Sequence, residues 1–170
     1  MAFDITSYRP PRLCGVGTIS ETHADRLRSL IGRRLDSVWV VWDLEEDSWF
    51  ADCPVLFAFE GAQVEISHSK FSDMSITWNE IDPAAPVVWS GSELAFRLMW
   101  RKDERSGMAA LHGRDLAAVE LLEWNGRDMA QGMVAVSFVF DDGRITIYNA
   151  LDENGLELTP PDSGYRIHRL

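Results

Sequence analysis

The sequence has few cysteines and no long apolar segment. Cys14 and Cys53 are the only cysteines, and their spacing fits neither a zinc motif nor a disulfide scaffold. No stretch approaches the ~18 apolar residues that a membrane span needs. The first residues lack the basic and apolar regions of a secretory signal. We therefore expect a cytoplasmic protein with two reduced thiols and no membrane association.

Basic side chains are also scarce. Sixteen Lys and Arg face 27 Asp and Glu, which gives a formal net charge of −11. Such a charge repels phosphate backbones, so we expect no nucleic-acid partner. Between Arg34 and Lys70 there is no basic residue, and the acids there are Asp36, Asp43, Glu45, Glu46, Asp47, Asp52, Glu60 and Glu65. An acidic field of this kind suits either solubility or a basic protein partner.

Signatures of catalysis and of metal binding are missing as well. No histidine pair has H-x-x-x-H or H-E-x-x-H spacing, and no serine or cysteine stands in a recognised nucleophile context. Gly15 and Gly17 lack the preceding strand of a phosphate-binding loop. The segment from Asp152 to Gly155 resembles part of a calcium loop but lacks its terminal Glu, because Ser163 stands there. We expect no cofactor, no metal and, on balance, no enzyme.

What the chain does contain is an internal repeat. Residues 30–66 align without a gap with residues 111–147, an offset of 81 positions. The identical pairs are Leu30/Leu111, Gly32/Gly113, Arg33/Arg114, Leu35/Leu116, Val38/Val119, Asp47/Asp128, Val55/Val136, Phe57/Phe138, Phe59/Phe140 and Ile66/Ile147. Shared apolar spacing indicates that one supersecondary unit was built twice.

Helix and strand patterns recur in both copies. Apolar residues at three- and four-residue steps predict a helix over about 19–31, with a capping box at Thr18 and Glu21 and with Gly32 at its end. Residues 106–111 support only a shorter helix or a turn. Alternating or branched and aromatic residues predict strands at 37–42, 55–59, 64–66, 75–79, 94–100, 117–124, 136–140 and 145–147.

A hairpin in each copy is the most specific structural prediction. The turn at Asp142-Gly143 has the type I′ signature, and Gly61-Ala62 suits type II′. We therefore predict an α+β fold of mainly antiparallel strands, in which two pseudo-twofold copies, residues 18–80 and 93–158, pack as one domain of residues 1–170. Closure as a barrel or as a sandwich stays open, and so does the oligomeric state.

The first candidate site is the segment between two predicted strands. It combines four carboxylates, Asp43, Glu45, Glu46 and Asp47, with the aromatic residues Trp49 and Phe50. Carboxylates would steer a basic partner while the aromatic rings anchor it. The alternative is a solvated polar connection that leads into a buried strand.

The second candidate site is a cleft between the two copies. Its residues would be His68, Asp73, Tyr148, Asn149, Asp152 and Glu153. A histidine beside carboxylates is able to serve in acid–base chemistry or ligand binding. The alternative is a set of solvent-facing polar residues at strand ends.

The charged pairs Arg33/Arg114 and Asp47/Asp128 are kept in both copies, and we interpret them as structural. Each Arg follows a glycine at a helix end, where it could bind helical carbonyl groups or pair with the Asp. The leading functional hypothesis is a non-enzymatic binding protein, such as an inhibitor or immunity-type protein for a basic partner. The alternative is a small-molecule-binding protein or a small enzyme with its site between the halves.

Overall fold

The computed structural model describes residues 2–3, 8–90 and 95–170 and consists mostly of antiparallel β-sheet. The first part of the chain contains β1 (Ala2–Phe3), α1 (Val16–Arg28), β2 (Leu35–Asp43), β3 (Ser48–Trp49), β4 (Val55–Phe59), β5 (Ala62–Ser69), β6 (Asp73–Trp78) and β7 (Trp89–Ser90). The second part contains β8 (Leu98–Lys102), α2 (Ser106–Ala109), β9 (Ala118–Trp124), β10 (Val134–Phe140), β11 (Gly143–Asn149), β12 (Asn154–Glu157) and β13 (Tyr165–Arg169).

The strands form two main sheets and one short pair. The first sheet has the order β3-β2-β4-β5-β6, with β8 also paired to β2, and the second has the order β12-β11-β10-β9-β13. β1 pairs with β7. The predicted antiparallel, mainly β architecture is confirmed. Among the described residues the strands lie in separate sheets, which answers the open question of closure against a single barrel.

The inner faces of both sheets and one side of α1 share one hydrophobic cluster. Phe57 of β4 and Phe138 of β10 are fully buried, and their ring centroids lie 4.8 Å apart. Ile19 and Leu27 of α1 join the same cluster. Alternation of apolar residues in β4 and β10 produces these faces, because successive side chains of a strand point to opposite sides.

The predicted hairpins β4–β5 and β10–β11 are both present, but the predicted turn types are wrong. Phe59 pairs with Ala62 and Phe140 pairs with Gly143, so the connecting residues are 60–61 and 141–142, one position earlier than predicted. Gly61 has a φ of 74°, whereas none of residues 141–143 has a positive φ, which type I′ requires. Pairing between the apolar strand residues sets the register, and the turn accommodates to it.

The helix prediction needs a correction at both ends. α1 begins at Val16 after Gly15, which has a φ of 82° and offers no capping side chain. Thr18 therefore lies inside the first turn, and the predicted capping box with Glu21 is absent. Gly32 does adopt a left-handed φ of 86°, but it follows a further turn after the helix has ended at Arg28.

Reciprocal backbone hydrogen bonds join the two segments that align in the sequence, residues 30–66 and 111–147. The amide groups of Gly32 and Gly113 donate to the carbonyl groups of Leu116 and Leu35, both at 2.8 Å. Two further bonds at 2.9 Å are exchanged in the same way, from Leu35 to Arg114 and from Leu116 to Arg33. Each bond becomes its counterpart when its donor and acceptor residues are replaced by the residues aligned with them in the other segment.

The predicted strands outside the repeat are present with shifted ends. The strand expected at 75–79 is β6, which begins at Asp73, and the strand expected at 94–100 is β8, which begins at Leu98. Residues 91–94 lie outside the described part of the chain. None of the helices in the described ranges is long and apolar enough to span a bilayer.

Candidate functional site

The acidic turn between β2 and β3 uses one of its carboxylates for its own shape. Asp43 is only 5% exposed, and its Oδ1 accepts hydrogen bonds from the amide groups of Glu45 at 2.9 Å and Glu46 at 3.3 Å. A carboxylate that binds backbone amides two and three residues ahead stabilises a tight turn. Asp43 therefore shapes the turn, while Glu45 and Glu46 are exposed to solvent.

Asp47 is exposed but has two partners. Its Oδ1 accepts a hydrogen bond from the indole Nε1 of Trp42 at 3.0 Å and lies 3.8 Å from Nη1 of Arg101 on β8. The Arg101 guanidinium also lies 5.2 Å from the centroid of the Trp42 ring. Arg101, which lies more than fifty positions away in sequence, thus partly offsets the negative charge of this turn.

The two aromatic residues of the turn are packing residues. Trp49 is half-buried and faces Trp42 across the β2–β3 pair. Phe50 packs against Trp89 and Phe96, with ring centroids 4.9 and 5.1 Å away. Of the six residues predicted as a docking loop, Glu45, Glu46 and Asp47 have the exposure that steering requires, and Asp47 already has partners within the chain.

The retained charged pairs serve structural roles that differ from a shared ion pair. Arg33 donates to the carbonyl oxygen of Ser29 at 3.1 Å, just after α1, as one form of the hypothesis requires. Arg114 instead pairs with Asp142 at 3.5 Å. Asp128 accepts a hydrogen bond from an indole, as Asp47 does, through the Nε1 of Trp124 at 2.9 Å.

His68, the central residue of the predicted cleft, is buried where β5 meets β12. Its Nδ1 lies 3.3 Å from Oδ1 of Asn154, and its Nε2 lies 3.1 Å from the carbonyl oxygen of Val134. Burial lowers the pKa of His68 to about 4, so the ring is neutral at physiological pH. The neutral ring carries one N–H, which donates to one of these two oxygens, and the burial of the side chain indicates a structural histidine.

Asn154, which the sequence analysis did not single out, connects the segments around His68 through the hydrogen bonds of its side chain. Its Nδ2 donates to the carbonyl oxygens of Ala51 and Cys53, both at 2.9 Å, and its Oδ1 accepts from the amide of His68 at 2.7 Å. The side chain is 1% exposed. It joins the second sheet to the 51–53 turn and to β5, and so it fills part of the predicted cleft.

The remaining cleft residues separate into two groups. Asn149 donates to the carbonyl oxygen of Lys70 at 2.5 Å, and Asp152 accepts a hydrogen bond from the amide of Lys70. These contacts hold the 149–153 turn against the β5–β6 turn. Asp73 is 4.0 Å from the Lys70 ammonium, and Glu153 is exposed.

Tyr148 lies on the other side of this turn, against Gly155. A Cβ atom on Gly155 would come within 2.3 Å of the tyrosine ring, so the close approach requires glycine. The structure therefore does not place Tyr148 beside His68.

Two concave surfaces flank the 149–153 turn. The first, here called the cavity, measures about 310 Å³. Its walls come from segments remote in sequence: Tyr8, Pro10, Arg12, Asp52, Pro54, Ser67, His68, Ser69, Ser75, Trp89 and Asp152. Hydroxyl and carboxylate groups predominate among the polar residues of this cavity.

The second surface, here called the groove, lies on the outer face of the second sheet and measures about 260 Å³. It is lined mainly by apolar and aromatic residues: Trp124, Asp128, Ala130, Met133, Val134, Ala135, Tyr148, Asn149, Leu151 and Tyr165. The rings of Trp124 and Tyr165 meet edge to face at 5.0 Å. Leu151 is 76% exposed although its backbone φ is 62°.

Sequence reasoning missed the groove, although one signal was present. No Lys or Arg occurs between Arg144 and Arg166, a second basic-free stretch that includes two of the groove tyrosines. Pairing of β13 with β9 then places Tyr165 opposite Trp124, which no local pattern indicates.

The described residues contain no group of three or more His, Cys, Asp or Glu side chains arranged to hold a metal ion. Both cysteines are free thiols, Cys14 exposed and Cys53 buried. No protein-family model, no curated protein and no solved structure matches the chain.

Proposed function

We propose that this protein is a non-enzymatic binding module that docks a basic protein partner on the groove of its second sheet. The observation that carries the proposal is the exposure of Leu151 next to the aromatic lining. A leucine that is 76% exposed is not stabilised by burial, and a backbone φ of 62° is unfavourable for this residue type. Such a residue gains burial when a partner covers it.

The composition of the groove supports an interface. Aromatic residues and methionine are enriched at protein interfaces, and Trp124, Tyr148, Tyr165 and Met133 line this surface. Met129, in the same β9–β10 connection as groove residues Asp128 and Ala130, is 81% exposed. These side chains would supply the apolar anchors that the sequence analysis assigned to Trp49 and Phe50.

The groove is also preorganised. The Trp124 indole donates to both carboxylate oxygens of Asp128, at 2.9 and 3.0 Å. Its ring leaves no room for a Cβ atom at Gly126 or Gly164, where contacts of 2.4 and 2.5 Å would result. Side chains that are fixed before binding lose less conformational entropy in a complex.

Charge favours a basic partner. The basic-free stretch between Arg144 and Arg166 carries Asp152, Glu153, Glu157 and Asp162, and the whole chain has a net charge of −11. An acidic surface attracts a basic protein and accelerates encounter at low salt. Glu45 and Glu46 would add to this field without forming the contact.

Two broader features belong to the same proposal. We attribute the reciprocal hydrogen bonds and the Phe57–Phe138 contact to a tandem duplication, whose copies fold around an approximate twofold axis. Reciprocal pairs such as Gly32 to Leu116 and Gly113 to Leu35 support this origin. The cytoplasm is the proposed location, since two free thiols suit a reducing compartment.

The test is an affinity capture that compares variants of the groove with variants of the acidic turn. Wild-type protein, Leu151→Ser and the double variant Glu45→Gln/Glu46→Gln are immobilised and exposed at low salt to extract from the producing cells. Any retained protein is then identified, purified and recombined with each variant. We expect a basic partner whose affinity falls about tenfold or more with Leu151→Ser, and less with the double variant.

Three outcomes would contradict the proposal. One is a reconstituted partner that is acidic, and another is a partner whose affinity is unchanged by Leu151→Ser. The third is the absence of any retained protein at low salt. Unfolding of each variant is measured in parallel, so that a loss of binding is not confused with a loss of structure.

A further inference from the structure

Hydroxyl and carboxylate groups make up most of the polar lining of the cavity next to the groove, and Arg12, His68 and Trp89 are its other polar residues. Ser67 is only 8% exposed and lines the cavity, and its hydroxyl has no hydrogen-bond partner among the described residues. Ser75, which pairs with Ser67 across β5 and β6, is fully buried and lines the same cavity. A bound polar group would satisfy a hydroxyl that lines a cavity without a protein partner.

Two carboxylates add negative charge. Asp52 and Asp152 come from turns of different copies and line the cavity together. Burial, and next the charge of Asp152, raise the pKa of the Asp52 carboxyl. Both residues are exposed to solvent, but two like charges near each other repel, and a bound cation would relieve that repulsion.

The basic side chains of the surrounding segments have partners of their own or are neutral. Arg12 is exposed at the surface and donates to the hydroxyl of Ser69. The ammonium group of Lys70 lies near Asp73, at 4.0 Å, and only its backbone amide contacts Asp152. His68 is neutral at physiological pH, because burial lowers its pKa to about 4.

Aromatic walls complete a site suited to an organic cation. Tyr8 and Trp89 line the cavity together with Pro10 and Pro54. Indole and phenol rings attract a cation placed over their faces. A volume of about 310 Å³ is at the small end of the range for ligand sites, which suits one side-chain-sized group.

We infer that this cavity binds a primary ammonium or guanidinium group, supplied by a Lys or Arg side chain of the partner that lies in the groove. The 149–153 turn connects the two surfaces, because Leu151 lines the groove and the next residue, Asp152, lines the cavity. A segment of the partner that covers Leu151 therefore lies next to the carboxylate of Asp152. This inference rests on the proposed function for the source of the cation.

The first experiment needs no partner. Amide and indole resonances of the full chain are followed by NMR during titration with n-butylammonium, with ethylguanidinium and with neutral n-butanol. We expect saturable shifts at Ser67, Ser75 and the Trp89 indole with both cations, and much weaker binding of the alcohol. Equal shifts with the cation and the alcohol would overturn the inference.

Matched variants locate the charge that is responsible. The double variant Asp52→Asn/Asp152→Asn keeps the shape of both side chains and the acceptor for the Lys70 amide, and should weaken cation binding about tenfold or more. The control is Asp25→Asn, which removes one charge from a fully exposed side chain on α1 and should leave binding unchanged. Equal affinities in the double variant and the control would contradict the inference.

A single variant tests the same inference if the double variant folds poorly. Asp52 makes no hydrogen bond among the described residues, so the single variant Asp52→Asn should keep the fold and still weaken cation binding severalfold. Once a partner is known, the same variants are tested in the complex. If small cations bind in the cavity but substitutions of Asp52 and Asp152 leave the affinity for the partner unchanged, the ligand of the cavity is a free amine and not a side chain of the partner. If the partner binds through the groove but the cavity binds no cation, this inference is contradicted and the proposed function is still supported.

Discussion

The two main sheets present similar inner faces and very different outer faces. In the first sheet, Val41 and Leu56 point away from the main core and are fully buried beneath Tyr8, Ile81 and Trp100, which form a second hydrophobic cluster. In the second sheet, the position equivalent to Leu56 is Ser137, which accepts a hydrogen bond from Thr146 at 3.0 Å. The same strand framework therefore supports an apolar outer layer in one sheet and a polar network in the other.

The first sheet acquires its outer layer from segments outside the repeat. The amide groups of Glu80 and Ile81 donate to the buried carboxylate of Glu65, at 2.9 and 3.3 Å. The hydroxyl of Tyr8 lies 3.1 Å from that of Thr77, so the N-terminal segment is held on the same face. These contacts show how a sheet face that is apolar becomes covered within the chain itself.

The second sheet covers the centre of its outer face with its own side chains. Arg144 donates to Glu120 at 3.1 Å and to Ser137 at 3.4 Å, and the Glu120 and Ser137 side chains are buried. Toward one end of the sheet this polar network gives way to the groove and to the exposed Leu151. The two sheets therefore share the apolar pattern of their inner faces and differ in what covers their outer faces.

The largest expected effect tests whether the inner faces are equivalent. Replacing Phe57 or Phe138 with Ala should each lower the free energy of unfolding by about 3–5 kcal/mol, because both rings are fully buried and touch each other. Denaturant unfolding of both variants gives the two losses. A loss below about 1 kcal/mol for either variant would show that the two sheets do not share the core in the same way.

The next effect concerns position 68 and position 149, which the sequence offset of the repeat relates. Burial lowers the pKa of His68 to about 4, against 6.5 in an unfolded chain. Between these values the unfolded state binds more protons, so His68 contributes stability above about pH 6.5 that is lost as the pH falls toward 4. The difference amounts to about 3 kcal/mol.

Unfolding as a function of pH measures this contribution. His68→Gln should remove most of the loss that occurs between pH 6.5 and 4, whereas Asn149→Gln, at the equivalent position, should leave the pH profile unchanged. Burial also lowers the pKa of His23 and His112, so a smaller loss in the same direction should remain. A profile that is identical in the wild type and His68→Gln would refute the assignment.

Local patterns predicted the hairpins but not the parts of the molecule that surround them. The strands β4 and β10 were predictable because alternation of large residues is a property of a few consecutive positions. β13 and the pairing of β8 with β2 were not, since each depends on a partner far away in sequence. Likewise, the acidity of the 43–50 segment was visible, but the approach of Arg101 was not.

The surroundings of the predicted site residues were not predictable for a related reason. Repeat alignment grouped His68 with Asp152, and both residues line the cavity. The burial of His68 and the role of Asn154 depend on how the second sheet packs on the first, which no periodicity encodes. The groove depends on a ring contact between Trp124 and Tyr165, which lie in strands that are paired but distant in sequence.

The smallest expected effect tests two exposed positions that the sequence offset relates and that differ in side-chain chemistry. Lys70 and Leu151 occupy equivalent positions and both have left-handed backbones, with φ values of 52° and 62°. Asn tolerates this conformation better than either residue, so Lys70→Asn and Leu151→Asn should each raise the free energy of unfolding by about 0.5–1 kcal/mol. Thermal and denaturant unfolding measure the gain. Stabilisation at both positions, with loss of partner binding only for Leu151→Asn, would show that this leucine is kept at a cost in stability because it makes contact. If Leu151→Asn instead destabilises the protein, the side chain has a packing role within the chain, and the groove loses its main support as a docking surface.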